Sequence, residues 1–221
     1  IDDFDQTKIL RDYITDQELY EKIVDRYESK KSNEDLFIMS ISMQNHGGYT
    51  EKYDNFDEKA RMLGINYPDV NQYLSLIHES DSALEYLISY FEKVDDPVEI
   101  VFFGDHQPSL SSSFYPYLNG KGLGGLTLSE LENLYTVPFF IWTNYDSGKE
   151  SVELTSLNYL STLALERAGI ALPAYNQFLA DMMEEIPAVN SRGFYSKSQG
   201  KFLHVEDAAG EDAKWLKNYE I

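Results

Sequence analysis

The chain has 221 residues, 18 of them Lys or Arg against 38 Asp or Glu, a formal net charge of −20, and no cysteine. That length accommodates one sizeable α/β domain or two small ones. The acidic excess excludes a nucleic-acid surface, which needs a basic stripe, and unaided attraction to anionic lipid head groups. Lack of cysteine excludes disulfides and thiolate metal sites. A phosphate-ester substrate would need a local cation to overcome the field of such a chain.

No apolar run approaches the roughly 20 residues that span a bilayer, and no signal-peptide pattern opens the sequence. Ile1 is not an initiator methionine, so the chain is expected to be a segment of a longer protein. Composition alone leaves the compartment open.

Residues 1–14 read as an irregular acidic lead-in. Thr15-Asp16-Gln17-Glu18 forms a capping box, and Leu19, Ile23, Val24 and Tyr27 follow at helical spacing up to the Lys30-Lys31-Ser32-Asn33 breaker. Leu36-Phe37-Ile38-Met39-Ser40-Ile41-Ser42-Met43 predicts a buried strand. It ends in Gln44-Asn45-His46-Gly47-Gly48-Tyr49-Thr50, where a His arrives beside two glycines that permit close backbone approach to a ligand. Residues 51–65 are charged and aperiodic, a loop able to act as a lid. Pro68 opens the longest helix, with Val70, Tyr73, Leu74, Ile77, Leu84, Leu87, Ile88 and Phe91 as its apolar stripe. Asp81 falls on that stripe, where a buried carboxylate must be paired; it is expected to tie the helix to neighbouring backbone. His78, beside that face, is read as structural.

Val98-Glu99-Ile100-Val101-Phe102-Phe103-Gly104-Asp105-His106 is the most informative stretch. Its near-continuous apolar run reads as a strand of a parallel sheet, stopped at Gly104, with a carboxylate and an imidazole next. In open α/β sheets, ligands sit outside the carboxyl ends of strands. An Asp-His pair there can place one oxygen and one nitrogen on a divalent ion; the alternative is a turn-capping Asp and an exposed loop His. His46, also just past a strand end, would face the same crevice.

The Ser- and Gly-rich stretch 109–125 is read as a flexible loop, because no Lys-Ser/Thr ending follows its glycines. Ser129-Glu130-Leu131-Glu132 reads as a second capping box, and Val137-Pro138-Phe139-Phe140-Ile141-Trp142 as a third strand. A helix through Leu157, Leu160, Leu163, Ala164 and Ala168 stops at Gly169, and another runs from Pro173 towards Pro187. A hairpin of Gly193-Phe194-Tyr195 with Lys201-Phe202-Leu203-His204-Val205 and a last helix with Trp215 and Leu216 complete the chain. His204 is read as structural or exposed. No repeat or linker interrupts, which points to one domain.

With Asn45-His46-Gly47, the Asp81 helix, Gly104-Asp105-His106 and Val137-Pro138-Phe139 in this order, the chain resembles the carboxyl-terminal half of the catalytic domain of the lipoteichoic acid synthase family. Those enzymes are phosphoglycerol transferases of the sulfatase and alkaline phosphatase superfamily. The likeness runs from the Asp16 helix to Gly169, and residues 1–221 would all belong to that domain. The fold it implies is α/β, a mainly parallel sheet flanked by helices.

The resemblance further implies that Asp105 and His106 ligate Mn²⁺ or Mg²⁺ and that His46 binds the substrate phosphate or glycerol group. The Thr nucleophile and an acidic metal ligand of such enzymes would lie upstream, since no residue here matches them; the chain alone is expected to bind metal weakly and not turn over. The implied partners are phosphatidylglycerol, a polyglycerolphosphate or glycan acceptor, and the upstream half of the domain, with no nucleic acid. The implied location is the extracellular face of the membrane, through anchoring segments elsewhere. The sequence departs from the family pattern at Gly48, where a Pro before the aromatic is more usual, and at Gln107-Pro108-Ser109.

In such a site a metal polarises the phosphoryl oxygens and places positive charge where the transition state gathers negative charge. A His46 hydrogen bond to the charged group is worth about 1.5–3 kcal/mol. Alternatives are a sulfatase, phosphodiesterase or phosphoethanolamine transferase of the same superfamily, or a non-catalytic domain that binds envelope glycans.

Overall fold

Thr15 caps the first helix, its side-chain oxygen accepting from the Glu18 N–H at 3.1 Å. Helix α1 (Asp16–Ser29) follows in this computed structural model, which describes residues 4–219. The reciprocal half of the capping box is diverted. The Glu18 carboxylate accepts instead from the Asp5 N–H at 2.9 Å and pairs with Lys8 at 2.9 Å, which ties the lead-in to the helix. That lead-in is not wholly irregular: β1 (Ile9–Leu10) and β2 (Tyr13–Ile14) form a small antiparallel hairpin around Arg11 and Asp12.

Pro68 stands at the start of α2 (Pro68–Phe91), where its missing N–H is harmless. The helix buries Val70, Leu76, Ala83, Leu87 and Phe91, and α1 packs along it with Tyr20 and Val24 buried. The Tyr27 ring meets Phe91 edge-on at 5.2 Å. The stripe is rotated from its expected position: Ile77 and Asp81 are exposed, and in place of the expected Asp81 bond to backbone, Ser80 donates to the Asp16 carboxylate. Buried polar side chains of α2 also pin the 51–65 loop. Ser75 Oγ accepts from the N–H groups of Lys59 and Ala60, Asn71 Oδ1 from that of Met62, and Gln72 Nε2 donates to the Glu51 carbonyl. The loop is irregular, as expected, but fastened along its length.

The chain divides into two compact units. The first gathers the chain up to Asp96 with Pro108–Gly120, where α3 (Phe114–Asn119) replaces part of the expected loop. The second comprises Pro97–Gln107 and the chain from Lys121 onward. In it β3 (Glu99–Phe103) pairs with β4 (Phe139–Thr143), Val101 opposite Ile141, and Phe102 stacks on Phe140 at 5.3 Å. Helix α4 (Leu128–Asn133) has a complete capping box, but it is Thr127 with Glu130, two residues ahead of the expected one. Glu132 is buried and accepts from Asn190 Nδ2.

Helices α5 (Leu157–Arg167) and α6 (Ala174–Glu185), the hairpin β5 (Gly193–Ser196) with β6 (Lys201–His204), and α7 (Gly210–Tyr219) follow the sequence reading closely. Tyr159, Leu179, Met182, Ile186, Phe194 and Leu216 form their common core, and the Tyr159 hydroxyl donates to the Ile186 carbonyl at 2.7 Å.

Two expectations are corrected. All three ladders among the described residues are antiparallel, two strands each, instead of a parallel sheet. An apolar run reports that a strand is to be covered, not which way its neighbour points. The run 36–43 is in no strand and is largely exposed, with Phe37 90% and Met39 74% accessible. Burial of such a run needs ladders on its edges and layers on its faces, and none of the described strands pairs with it. No helix among the described residues is long and apolar enough to cross a membrane.

Candidate functional site

Gly104 ends β3 in close contact with the start of β4. Its N–H donates to the Pro138 carbonyl at 3.2 Å, and a Cβ there would stand 3.0 Å from Val137 Cβ. Only a residue without a side chain brings the backbone this near. Asp105 and His106 then turn outward, their side chains 77% and 67% exposed.

Local hydrogen bonds orient this pair. The His106 N–H donates to Asp105 Oδ1 at 2.8 Å, and His106 Nδ1 lies 2.9 Å from the Gln107 carbonyl. A carbonyl only accepts, so Nδ1 carries a ring proton, and in the neutral imidazole the lone pair is then on Nε2. Gln107 is itself fixed, donating from Nε2 to the Thr136 carbonyl. His106 Nε2 and Asp105 Oδ2 stand 3.6 Å apart. Two donors at about 2.1 Å from one ion, set at about 90–120°, are separated by about 3.0–3.6 Å. The pair therefore fits two positions of a divalent-metal site, in donor type, tautomer and spacing. Among the described residues no group of three or more His, Cys, Asp or Glu side chains could hold a metal.

His46 lies in the first unit, on a loop held from two sides. On one side Asp16 is buried at the start of α1; its N–H donates to Gln44 Oε1 at 3.0 Å, and its Oδ2 accepts from Ser80 Oγ at 2.5 Å. Gln44 Nε2 and Asn45 Nδ2 both donate to Ser80 Oγ, at 3.1 and 2.7 Å. Burial raises the Asp16 carboxyl above its ordinary pKa, while hydrogen bonds from Ser80 and Ser42 oppose the shift. On the other side the buried Arg11 guanidinium donates to the carbonyls of Gln44, His46 and Gly48 and to Gln72 Oε1. Tyr49, buried beneath the loop, donates to the Asn45 carbonyl at 2.7 Å, and burial pushes its phenol up to about 12.

The His46 ring itself stays exposed, with Nδ1 3.1 Å from the Tyr13 hydroxyl. Of the predicted residues, Asp105 and His106 are thus brought together in the second unit, and His46 is presented in the first. His78 and His204 are exposed, the latter with Nδ1 3.3 Å from the Arg192 carbonyl. A shallow cleft along residues 61–66 and Asn71 includes none of the candidates. The sequence reading missed Arg11 and Tyr13 altogether and treated Asp16 only as a helix-start residue. The one available signal was a lone basic residue between two apolar pairs, Ile9-Leu10 and Tyr13-Ile14.

Comparison with known proteins places these features in context. The chain is 35% identical over 105 residues to the capsular polysaccharide biosynthesis protein RkpI of Rhizobium meliloti (strain 1021), covering 48% of this chain and 18% of that protein. A protein of the same organism named for cyclic beta-1,2-glucan modification is 22% identical over 217 residues, 95% of this chain and 32% of its own length. The chain thus spans a third or less of these curated relatives. The fold matches the Streptococcus pyogenes phosphoglycerol transferase GacH, solved with sn-glycerol-1-phosphate. The TM-score is 0.64 at 19% identity, over 95% of this chain and 48% of that one. That likeness establishes a sulfatase-like α/β fold. The family model for Sulfatase matches residues 2–170, about three quarters of the sequence, and on that match the chain belongs to the sulfatase family.

Proposed function

We infer that this chain is the carboxyl-terminal part, residues 1–221, of a metal-dependent phosphoglycerol transferase that modifies an envelope polymer. The observation that carries the reading is the Asp105-His106 pair, whose imidazole turns Nδ1 to the Gln107 carbonyl at 2.9 Å and leaves Nε2 3.6 Å from Asp105 Oδ2. Asp105 Oδ2 and His106 Nε2 would hold Mn²⁺ or Mg²⁺. A bound ion there supplies positive charge beside the attacked phosphorus. The Gln107 carbonyl keeps the imidazole in the liganding tautomer, the usual task of a group behind a metal-bound His. His46 donates a hydrogen bond to the phosphoryl or glycerol oxygens of the substrate.

The donor in this reading is phosphatidylglycerol, and the transferred group is glycerophosphate, consistent with the glycerol phosphate bound by GacH. The acceptor is an envelope glycan or a polyglycerolphosphate of the lipoteichoic type. The names of the two rhizobial relatives, both concerned with polysaccharide, favour the glycan. The nucleophilic Thr and a further acidic ligand belong to residues upstream of Ile1, and the reaction takes place outside the cell membrane. Sulfate-ester hydrolysis is the second reading, favoured by the family match alone.

Mn²⁺ titration followed by electron paramagnetic resonance tests the metal pair. The chain should bind weakly, and Asp105→Ala or His106→Ala should remove that binding. In the protein extended upstream, the same variants should abolish release of diacylglycerol from phosphatidylglycerol. Unchanged Mn²⁺ affinity in both variants, or full turnover in Asp105→Ala, would sink the assignment.

A further inference from the structure

Arg11 sits where its backbone is strained. It is the first of two residues linking β1 to β2, and its φ is +55°, the only positive φ at a non-glycine among the described residues. Hairpin loops with a positive φ at that position strongly favour Gly. A long β-unbranched cation there costs backbone energy, and such strain persists where the surroundings over-determine it.

What over-determines it is the side chain. The guanidinium is buried, and its recorded partners are uncharged: the Gly48 carbonyl at 3.1 Å, the Gln44 carbonyl at 3.2 Å, the His46 carbonyl and Gln72 Oε1 at 3.1 Å. Tyr13, Tyr49 and Tyr53 surround it, with ring centroids 5.9, 5.5 and 5.7 Å from Cζ. Its Nε is buried without a partner. A fold seeking stability alone gains little from a strained backbone, a desolvated charge and an orphaned N–H at one residue. What the arrangement does provide is a rigid fork gripping alternate carbonyls of the 44–48 loop, a geometry that a point-charge Lys cannot copy.

The same hairpin controls the imidazole. Tyr13, two residues on, places its hydroxyl 3.1 Å from His46 Nδ1, with the rings tilted at 5.6 Å. When the phenol donates to Nδ1, the ring proton must sit on Nε2, so the exposed edge of His46 is a hydrogen-bond donor. This is the reverse of His106, whose exposed nitrogen is a lone pair.

We propose that Arg11 and Tyr13 are the positioning residues of the His46 site: Arg11 fixes the loop by its carbonyls, and Tyr13 fixes the tautomer that presents Nε2–H to an anionic group. This rests on the reading of His46 as the residue that meets the glycerophosphate group. Arg11 also sets a positive charge behind that loop, with Asp12 and Glu51 nearby but no ion pair within 4 Å among the described residues, and this favours an anion in a chain of net charge −20.

The test uses the full chain, with sn-glycerol-1-phosphate as the calorimetric probe and ring ¹⁵N shifts of His46 as the structural readout. The wild type should carry its proton on Nε2. Tyr13→Phe should abolish that tautomer preference and weaken affinity severalfold. Arg11→Lys should weaken affinity about tenfold, misplacement of the loop being the cause, and split the His46 signals while the circular dichroism is unchanged. If Arg11→Lys does not fold, the Tyr13→Phe ring signals decide. A wild-type proton on Nδ1, or ring signals unmoved in Tyr13→Phe, overturns the proposal. Failure of the parent reading looks different: His46→Ala would leave probe affinity intact, or the wild type would not bind, while the ring shifts still report on the clamp.

Discussion

The two units expose their candidate residues by opposite means. In the first, the His46 loop rests on buried polar groups, namely Arg11, Asp16, Gln44 and Gln72 with their partners, so the loop and the fold stand or fall together. In the second, an apolar core of Tyr159, Met182, Ile186 and Phe194 carries stability, while Asp105 and His106 project from a strand end on short-range hydrogen bonds. A candidate loop built on buried polarity is intolerant of substitution in its supports. A candidate pair mounted at an exposed strand end, outside the packed core, is open to change without structural penalty.

The largest effect should come from emptying that core. Phe194→Ala, at a fully buried ring, is expected to lose about 3–5 kcal/mol in urea unfolding. Next comes the polar support: Gln44→Leu removes the acceptor of the Asp16 N–H and one of the two amide donors to Ser80 Oγ, and should cost about 1–3 kcal/mol. Asp105→Ala should change stability by no more than about 0.5 kcal/mol, the range of exposed sites, while removing Mn²⁺ binding. If Asp105→Ala destabilises as much as Gln44→Leu, the contrast between the units is broken.

The smallest effect is the dependence on pH, and its sign differs between the units. Asp16 has its folded pKa raised by burial, so it holds its proton more tightly when folded. Its contribution is therefore greatest at acid pH and fades as pH rises from the ordinary value near 3.8 through the folded one. Glu130 is held down to about 2 by its hydrogen bond to Lys121 and those at Thr127. Its contribution is complete above the ordinary value near 4.5 and is lost as pH falls towards about 2. Urea melts between pH 3 and 7 should show Asp16→Asn making the change of stability with pH more positive and Glu130→Gln making it less positive. Shifts of one sign in both variants would contradict the assignment.

Much of the architecture was legible because single residues announce boundaries. Thr15, Pro68 and Gly169 mark helix ends by local hydrogen bonding and backbone geometry alone, and Gly104 before Asp105-His106 marks a strand end. The phase within α2 was harder: Asp81 and Ser80 differ by one residue, about 100° around the helix, and the buried polar residues Asn71, Gln72 and Ser75 hid the true buried side. Beyond the β5–β6 hairpin, strand pairing was not legible, since the direction of a ladder is a property of the neighbour. Arg11 escaped for a related reason. Its role depends on contacts with residues 33 to 61 positions away, which no local pattern encodes.

The apolar run at 36–43 has a practical side. Leu36, Phe37, Ile38, Met39, Ile41 and Met43 lie open to water on a backbone that no described strand ladders, a ready template for strand addition between molecules. That segment is expected to promote association between molecules at high concentration, against the acidity that keeps copies apart. A lysine at Phe37, its most accessible side chain, is the substitution that should lessen that association in light scattering.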